Sequence, residues 1–246
     1  MIVGVIPARY GSSRFPGKPL IDIKGKSMIR RVYEQAMKSK LLDDVVAATD
    51  DQRIFDHIKA FGGKVLMTGE HHFSGTDRCK EASDKIGEGF NYIINIQGDE
   101  PFINPEQIDE LAGLLKETDM IELATQITPI NDNDTLFDTK EVKVVTDANG
   151  YALYFSRSVI PFIKGANIQS WHTQHTYYRH VGMYAYRKDI LAKITRMPAS
   201  SLEEAESLEQ LRWMENGLRI KCIVTGYYSC CIDTPEDLQK IHNIIH

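Results

Sequence analysis

The sequence has few cysteines, and their placement excludes two classes at once. Cys79, Cys222, Cys230 and Cys231 are the only four. No pair has Cys-x-x-Cys spacing and the last two are adjacent, so neither a zinc ribbon nor a disulfide framework is indicated; they read as buried thiols. No apolar run approaches the roughly 18–20 residues that span a bilayer, which excludes a membrane helix. The opening Met1-Ile-Val-Gly-Val-Ile-Pro7 lacks a basic segment and has too short an apolar stretch for a secretory signal, so a cytoplasmic chain starting here is expected. There is no Gly-x-Ser-x-Gly elbow, which disfavours a serine hydrolase, and no internal repeat or low-complexity tract. Base is also short relative to acid: the formal net charge is −5, which argues against a general nucleic-acid binder.

What is present suits one large α/β domain. The chain has 246 residues, 42% hydrophobic and 26% charged, enough to bury a real core. Ile2–Ile6 is almost wholly apolar, as in a parallel strand covered on both faces. Met28, Ile29, Val32, Tyr33, Ala36 and Met37 recur at helical spacing, 44–49 returns as a strand, Ile54 to Phe61 marks a helix stopped by Gly62-Gly63, and 64–67 is a third strand. A helix over 76–86, a strand over 91–96 and a helix begun by Asn104-Pro105 continue the alternation. This predicts a doubly wound, mostly parallel sheet. From 121 to 186 the pieces become strand-like, at 123–128, 141–147, 151–155 and 181–186, with Asn149-Gly150 placed to turn a hairpin. That stretch is expected to be an antiparallel β extension of a single domain spanning 1–246. A helix over 201–215, a strand over 218–225, a strand ending before Asp233 and a last helix capped by Thr234-Pro-Glu-Asp237 complete the pattern.

The first strand-to-helix connection, Pro7-Ala-Arg-Tyr-Gly-Ser-Ser-Arg-Phe-Pro-Gly-Lys-Pro-Leu20, is the sharpest feature. It places Gly11, Gly17, Arg9, Arg14 and Lys18 at the carboxyl end of a strand, where open α/β sheets bind ligands. Residues 1–31 carry seven basic side chains against one acid, Asp22, so the segment expects a small polyanion. It is not Gly-x-Gly-x-x-Gly, and it misses the Walker pattern because five residues separate Gly11 from Gly17-Lys18 and Pro19 replaces Ser or Thr. A different phosphate cradle fits: glycines let backbone N–H groups approach oxygens, Arg14 forks onto two of them and Lys18 adds a point charge. The bland alternative is a solvated basic loop.

Asp99, in Gln97-Gly-Asp-Glu-Pro101, ends the fourth strand on the same rim, and Asp233 ends a later one. Carboxylates facing a polyphosphate make sense with a metal between them, and hard Mg²⁺ prefers such oxygens. The structural alternatives are a turn for Asp99 and helix capping for Asp233. Ser74-Gly-Thr-Asp-Arg78 reads equally as nucleoside contact or helix cap. On a continuous helix over 201–215, Glu203, Glu206 and Gln210 share a polar face while Glu209 projects beside Leu202 and Trp213. A carboxylate there needs a partner, with Arg157 and His180 as candidates. His172-x-x-His175 has metal-like spacing but no further ligand nearby, and reads as a flexible polar loop.

These motifs, together with Ala48-Thr-Asp50, Tyr154-Phe-Ser-Arg157, Arg179-His-Val-Gly182 and Leu208-Glu-Gln-Leu-Arg212, resemble the 3-deoxy-manno-octulosonate (Kdo) cytidylyltransferases in order and spacing over essentially the whole chain. The first loop alone indicates only the wider nucleotidyltransferase superfamily. The resemblance implies a nucleotidyltransferase-like fold in which the Kdo anomeric hydroxyl attacks the α-phosphorus of CTP with Mg²⁺ present. It implies CTP contacts from Pro7, Ala8, Arg9, Gly11, Ser12, Ser13, Arg14, Lys18, Ser74, Gly75 and Arg78. It implies metal at Asp99 and Asp233, with Lys18 beside them in the catalytic set. Gln97, Arg157, His180, Glu206, Glu209 and Gln210 are implied around the sugar acid, in a cytoplasmic homodimer paired through the extension and engaging neither nucleic acid nor membrane. The stretch 163–176 and Ser229-Cys-Cys231 depart from the pattern. Competing readings are a cytidylyltransferase for 8-amino-Kdo or sialate, and a non-catalytic CTP-binding protein.

Overall fold

An apolar run without alternation needs cover on both faces, and in the computed structural model β1 (Ile2–Ala8) has it: every position but Pro7 is buried, and a parallel strand pairs with each edge. Residues 1–11, 15–117, 121–227 and 231–244 are described by the structure. After β1 come β2 (Asp22–Ile23), β3 (Lys26–Ser27), α1 (Met28–Ala36), β4 (Asp44–Thr49), α2 (Gln52–Ala60), β5 (Val65–Met67), α3 (Gly75–Ile86), β6 (Tyr92–Asn95) and α4 (Pro105–Glu117). The chain continues through β7 (Leu123–Ile130), α5 (Asn133–Phe137), β8 (Lys143–Thr146), β9 (Ala152–Ser156), α6 (Trp171–Gln174), β10 (Tyr177–Arg187) and α7 (Lys188–Ile194). It ends with α8 (Ser201–Glu206), α9 (Glu209–Glu215), β11 (Lys221–Val224) and α10 (Pro235–Ile244).

Two compact units result: 1–117 with 185–195 and 227–246, and 118–184 with 196–226. The stretch expected as an extension, about 121–186, falls in the second unit as far as 184, and that unit also takes in 196–226.

The first unit carries the strand order β6-β1-β4-β5, every pairing parallel, as the alternation predicts. Helix α1 shows why these sequences fold as they do. Met28, Ile29, Val32, Tyr33 and Ala36 fall on one face and are buried, while the Ser27 hydroxyl accepts from Arg30 N–H at 3.3 Å to begin the helix. Burial of each large side chain is worth about 1.5–3 kcal/mol. A separate cluster of Ile23, Met28 and Ile232, with Phe15, Phe102 and Leu238 against it, ties the start of α10 to the β2–β3 hairpin.

In the second unit β11 pairs β7 in parallel, while β8 is antiparallel to both β9 and β10. Asn149-Gly150 lies in the β8–β9 connection as expected, with Gly150 at φ +74° and the Asp147 carboxylate accepting from Asn149 and Tyr151 N–H groups. Two expectations fail here. The supposedly flexible polar loop is a short helix, α6, because Trp171 is buried against Ile130, Leu136 and Tyr177. The single helix over 201–215 is two helices, broken where Ser207 takes φ +53° and Leu208 becomes extended. Of the strand expected before Asp233, residues 231–232 form none and 228–230 lie outside the described residues.

Candidate active site

The carboxyl ends of β1 and β6 face a cavity of about 250 Å³ in the first unit. From the expected set it is lined by Pro7, Ala8, Arg9, Lys18, Ser74, Gly75, Arg78, Gln97, Asp99 and Asp233. Gly11 is exposed and is not among its lining residues; Ser12, Ser13 and Arg14 lie outside the described residues, as does Cys230.

Backbone close approach brings these groups together. A Cβ on Gly98 would sit 2.8 Å from the Pro7 carbonyl oxygen, so only glycine lets the chain leave β6 this close to β1. Gly17, at φ +73°, donates its N–H to the Tyr10 carbonyl at 3.0 Å and folds the basic loop back on itself before the helical turn at Lys18. Buried Ile232 donates its N–H to the Asp99 carbonyl at 3.0 Å, which carries Asp233 alongside Asp99.

Lys18 Nζ then donates to Asp99 Oδ2 and to Asp233 Oδ1, each at 2.8 Å. Burial works against the ammonium, but the two carboxylates outweigh it and hold its pKa above the ordinary lysine value. Asp233 is not spent on capping α10. The Thr234 hydroxyl accepts from Asp237 N–H at 3.3 Å, and the Asp237 carboxylate accepts from Thr234 N–H at 3.0 Å.

Ser74 answers its own ambiguity by doing both things. It lines the cavity and caps α3, its hydroxyl accepting from Asp77 N–H at 3.1 Å. Arg78 lines the cavity but is a buried structural cation: its guanidinium donates to Asp50 Oδ2 at 2.6 Å and to the Thr68 hydroxyl. The cavity also takes in Pro19, His72, Phe73 and Gly98, which sequence reasoning missed. Phe73 is 95% exposed; a large aromatic directly before a cap motif was the available signal.

In the second unit, Glu206 closes α8 and accepts from the Ser156 hydroxyl at 2.7 Å and Arg157 N–H at 2.9 Å. The Arg157 guanidinium donates to the carbonyls of Glu206, Thr139 and Ser207 at 2.7, 3.1 and 3.4 Å. A continuous helix would commit the carbonyls of Glu206 and Ser207 to the N–H groups of Gln210 and Leu211; the arginine takes them instead. The expected polar face therefore fails. Gln210 is buried, with no hydrogen-bond partner for its Nε2 among the described residues, and Glu209 is half-buried at the start of α9. His180 packs edge-on to Phe155 and beside Tyr184, with Nε2 3.1 Å from the Thr125 hydroxyl. Burial, with the nearby Arg179 guanidinium, lowers its pKa to about 3, so the ring is neutral. The Thr125 hydroxyl also lies within hydrogen-bond distance of two carbonyls, which makes it the acceptor from the imidazole and protonates Nε2.

Lys143 is another residue missed. It is fully buried, its ammonium donating to the carbonyls of Asp138 and Glu141 at 2.8 and 2.6 Å, and burial holds its pKa below the ordinary lysine value. A lysine inside an otherwise apolar strand was the sequence signal.

A cavity at the carboxyl ends of parallel strands, with cations on one wall and two carboxylates sharing one ammonium, is suited to a polyphosphate and a divalent ion. The comparisons agree. Residues 3–220 match the cytidylyltransferase family model. The chain is 53% identical over 242 residues to the 3-deoxy-manno-octulosonate cytidylyltransferase of Parabacteroides distasonis, covering 97% of this chain and 95% of that protein. It is 54% identical over 241 residues to the protein of that name from Cytophaga hutchinsonii, covering 98% and 96%. A solved structure of CMP:2-keto-3-deoxy-manno-octonic acid synthetase complexed with CTP superposes with a TM-score of 0.91 at 42% identity, covering 99% of this chain and 98% of that one. The chain belongs to the cytidylyltransferase family, in its 3-deoxy-manno-octulosonate branch. It is a nucleotidyltransferase.

Proposed function

We propose that this chain transfers CMP from CTP to the anomeric hydroxyl of Kdo, releasing pyrophosphate and supplying an activated sugar acid for lipopolysaccharide synthesis. The observation that carries the reading is the Lys18 ammonium held 2.8 Å from both Asp99 and Asp233 in the cavity at the strand ends. The names of the relatives support the choice of substrates.

Nucleotidyltransferases of this kind generally use a divalent metal. The donor chemistry here fits one: two carboxylates already converge on a single cation, and hard oxygen donors suit Mg²⁺. Asp99 and Asp233 would hold it. Bound there, Mg²⁺ would neutralise phosphate charge and lower the pKa of the attacking hydroxyl.

The chain's own residues do the rest by positioning and electrostatics, which dominate phosphoryl transfer. Lys18, with Arg9 and the expected Arg14, balances triphosphate charge; Pro7 and Ala8 line its path, and Gly11, Ser12 and Ser13 are assigned to it by the resemblance alone. Ser74 and Gly75 form the nucleoside wall, which Arg78 braces through Asp50. The anomeric hydroxyl loses its proton to solvent and its oxygen forms a bond to the α-phosphorus as the bond to the β-phosphate oxygen breaks, and pyrophosphate leaves with that electron pair. No covalent enzyme intermediate is needed. Of the residues expected for the sugar acid, Gln97 belongs to the first unit, and Arg157, His180, Glu206, Glu209 and Gln210 belong to the second. Arg157 is the sugar acid's carboxylate anchor, and the buried Gln210 amide supplies a donor for a hydroxyl. Among the described residues no helix is long and apolar enough to cross a membrane. A cytoplasmic homodimer paired through the antiparallel extension at about 121–186 completes the proposal.

The test is pyrophosphate release from CTP and Mg²⁺ with Kdo, 8-amino-Kdo and N-acetylneuraminate in parallel. Release with Kdo alone is expected. Preference for another acid moves the substrate, and CTP binding without release from any acid overturns catalysis.

A further inference from the structure

Loop 69–73, between β5 and α3, carries a side-chain cluster that the Asp99–Asp233 pair does not use. One ligating atom each of His71, His72 and Glu81 lies within 4.8 Å of the other two. The two imidazole rings stand 4.5 Å apart at 41°. His72 Nε2 meets Glu81 Oε2 across from the second turn of α3, and the His72 side chain is only 9% exposed. Gly69 N–H donates to the same Glu81 oxygen at 2.9 Å, and Lys85 pairs with the other at 2.7 Å.

Two imidazoles and one carboxylate are the donor set of open tetrahedral zinc sites. Nitrogen donors favour borderline transition ions over Mg²⁺, which is best served by oxygen. The carboxylate is already oriented by Gly69 and Lys85, the kind of outer hydrogen bonds that ordinarily steady a metal-bound carboxylate. Bonds of about 2 Å in a tetrahedron bring donors to within roughly 3.5 Å of each other. The approach still required falls on His71, the exposed member of the three, since His72 and Glu81 are partly buried and already paired.

We propose that His71, His72 and Glu81 form a second metal site, selective for divalent transition ions of the zinc class, with one position left to water. Binding forms three donor bonds in place of the His72–Glu81 hydrogen bond, and the proton held between those two atoms is released to water or moves to the other nitrogen of the His72 ring. Because His72 also lines the cavity, an ion here stiffens one wall of it. The site stands independently of the CTP and Kdo assignment.

The experiment titrates the metal-stripped full chain with Co²⁺ in excess Mg²⁺, following visible ligand-field absorption, and then adds Zn²⁺. Expected is one equivalent with a tetrahedral spectrum, displaced by Zn²⁺ and not by Mg²⁺. It should be weakened at least about tenfold by His71→Asn and by Glu81→Gln and unchanged by Asp99→Asn. Circular dichroism checks folding; if Glu81→Gln fails to fold, His71→Asn at its exposed position decides. Equal Co²⁺ affinity in wild type and His71→Asn, or loss of binding in Asp99→Asn, overturns the proposal.

Discussion

Asp99 and Arg157 have different tasks, and substitution separates them. Asp99→Asn removes one of the two carboxylates around Lys18 while leaving the phosphate wall, so kcat should drop at least about 100-fold with only a modest change in CTP affinity. A near-normal kcat in steady-state assays would remove Asp99 from the reaction. Arg157→Ala should raise the KM for Kdo about tenfold or more and spare that for CTP; an effect confined to CTP would refute the anchor role. His180 sets a pH dependence of stability. Its folded pKa of about 3 lies below the ordinary 6.5, so the unfolded chain takes up a proton that the folded chain refuses. Stability is full above pH 6.5 and falls as pH drops toward 3, by a term on the order of 4–5 kcal/mol. Thermal unfolding of His180→Gln between pH 7 and 4 should therefore decline less steeply than wild type, and parallel curves would show that His180 does not carry the term.

At the scale of elements, Gly98→Ala forces a carbon toward the Pro7 carbonyl oxygen and pushes the end of β6 from β1. It should cost about 1–3 kcal/mol in urea unfolding and weaken CTP binding together; a neutral change would mean that the two strand ends tolerate separation. Most elements were legible because their signals are local. The buried faces of α1 and β4, the Asn149-Gly150 turn and the Thr234 cap are written in neighbouring residues. The break between α8 and α9 was not, since Ser201 to Glu215 is rich in good helix formers and the carbonyls at the break are held by Arg157, some fifty positions away. The same limit applied around the cavity. Lys18, Asp99 and Asp233 were readable from motif position, whereas their sharing of one ammonium depends on the burial of Ile232 and the close approach at Gly98. Lys143 was visible only as a charge in an apolar strand, without a sign of what holds it.

Across the whole molecule, the cavity and its cations belong to the first unit, and ligand protection should follow that division. With CTP and Mg²⁺, hydrogen exchange should slow chiefly around 7–9, 72–78 and 97–99, and protection concentrated in 118–184 would contradict the placement of the nucleotide. The capping boxes add a consequence for ionic conditions. Asp77 and Asp237 turn their carboxylates back onto the N–H groups of the cap residues Ser74 and Thr234, so a negative charge of the chain's own sits at the positive end of both helices. That charge offsets part of the dipole a phosphate would otherwise meet, in contrast to a loop that cradles anions with a bare helix start. Long-range attraction then rests largely on exposed side-chain charges such as Arg9, and such charges are screened by dissolved ions over about 10 Å at 0.1 M salt. Nucleotide capture by this fold should accordingly be a low-salt specialist, its association rate falling as the medium becomes more concentrated.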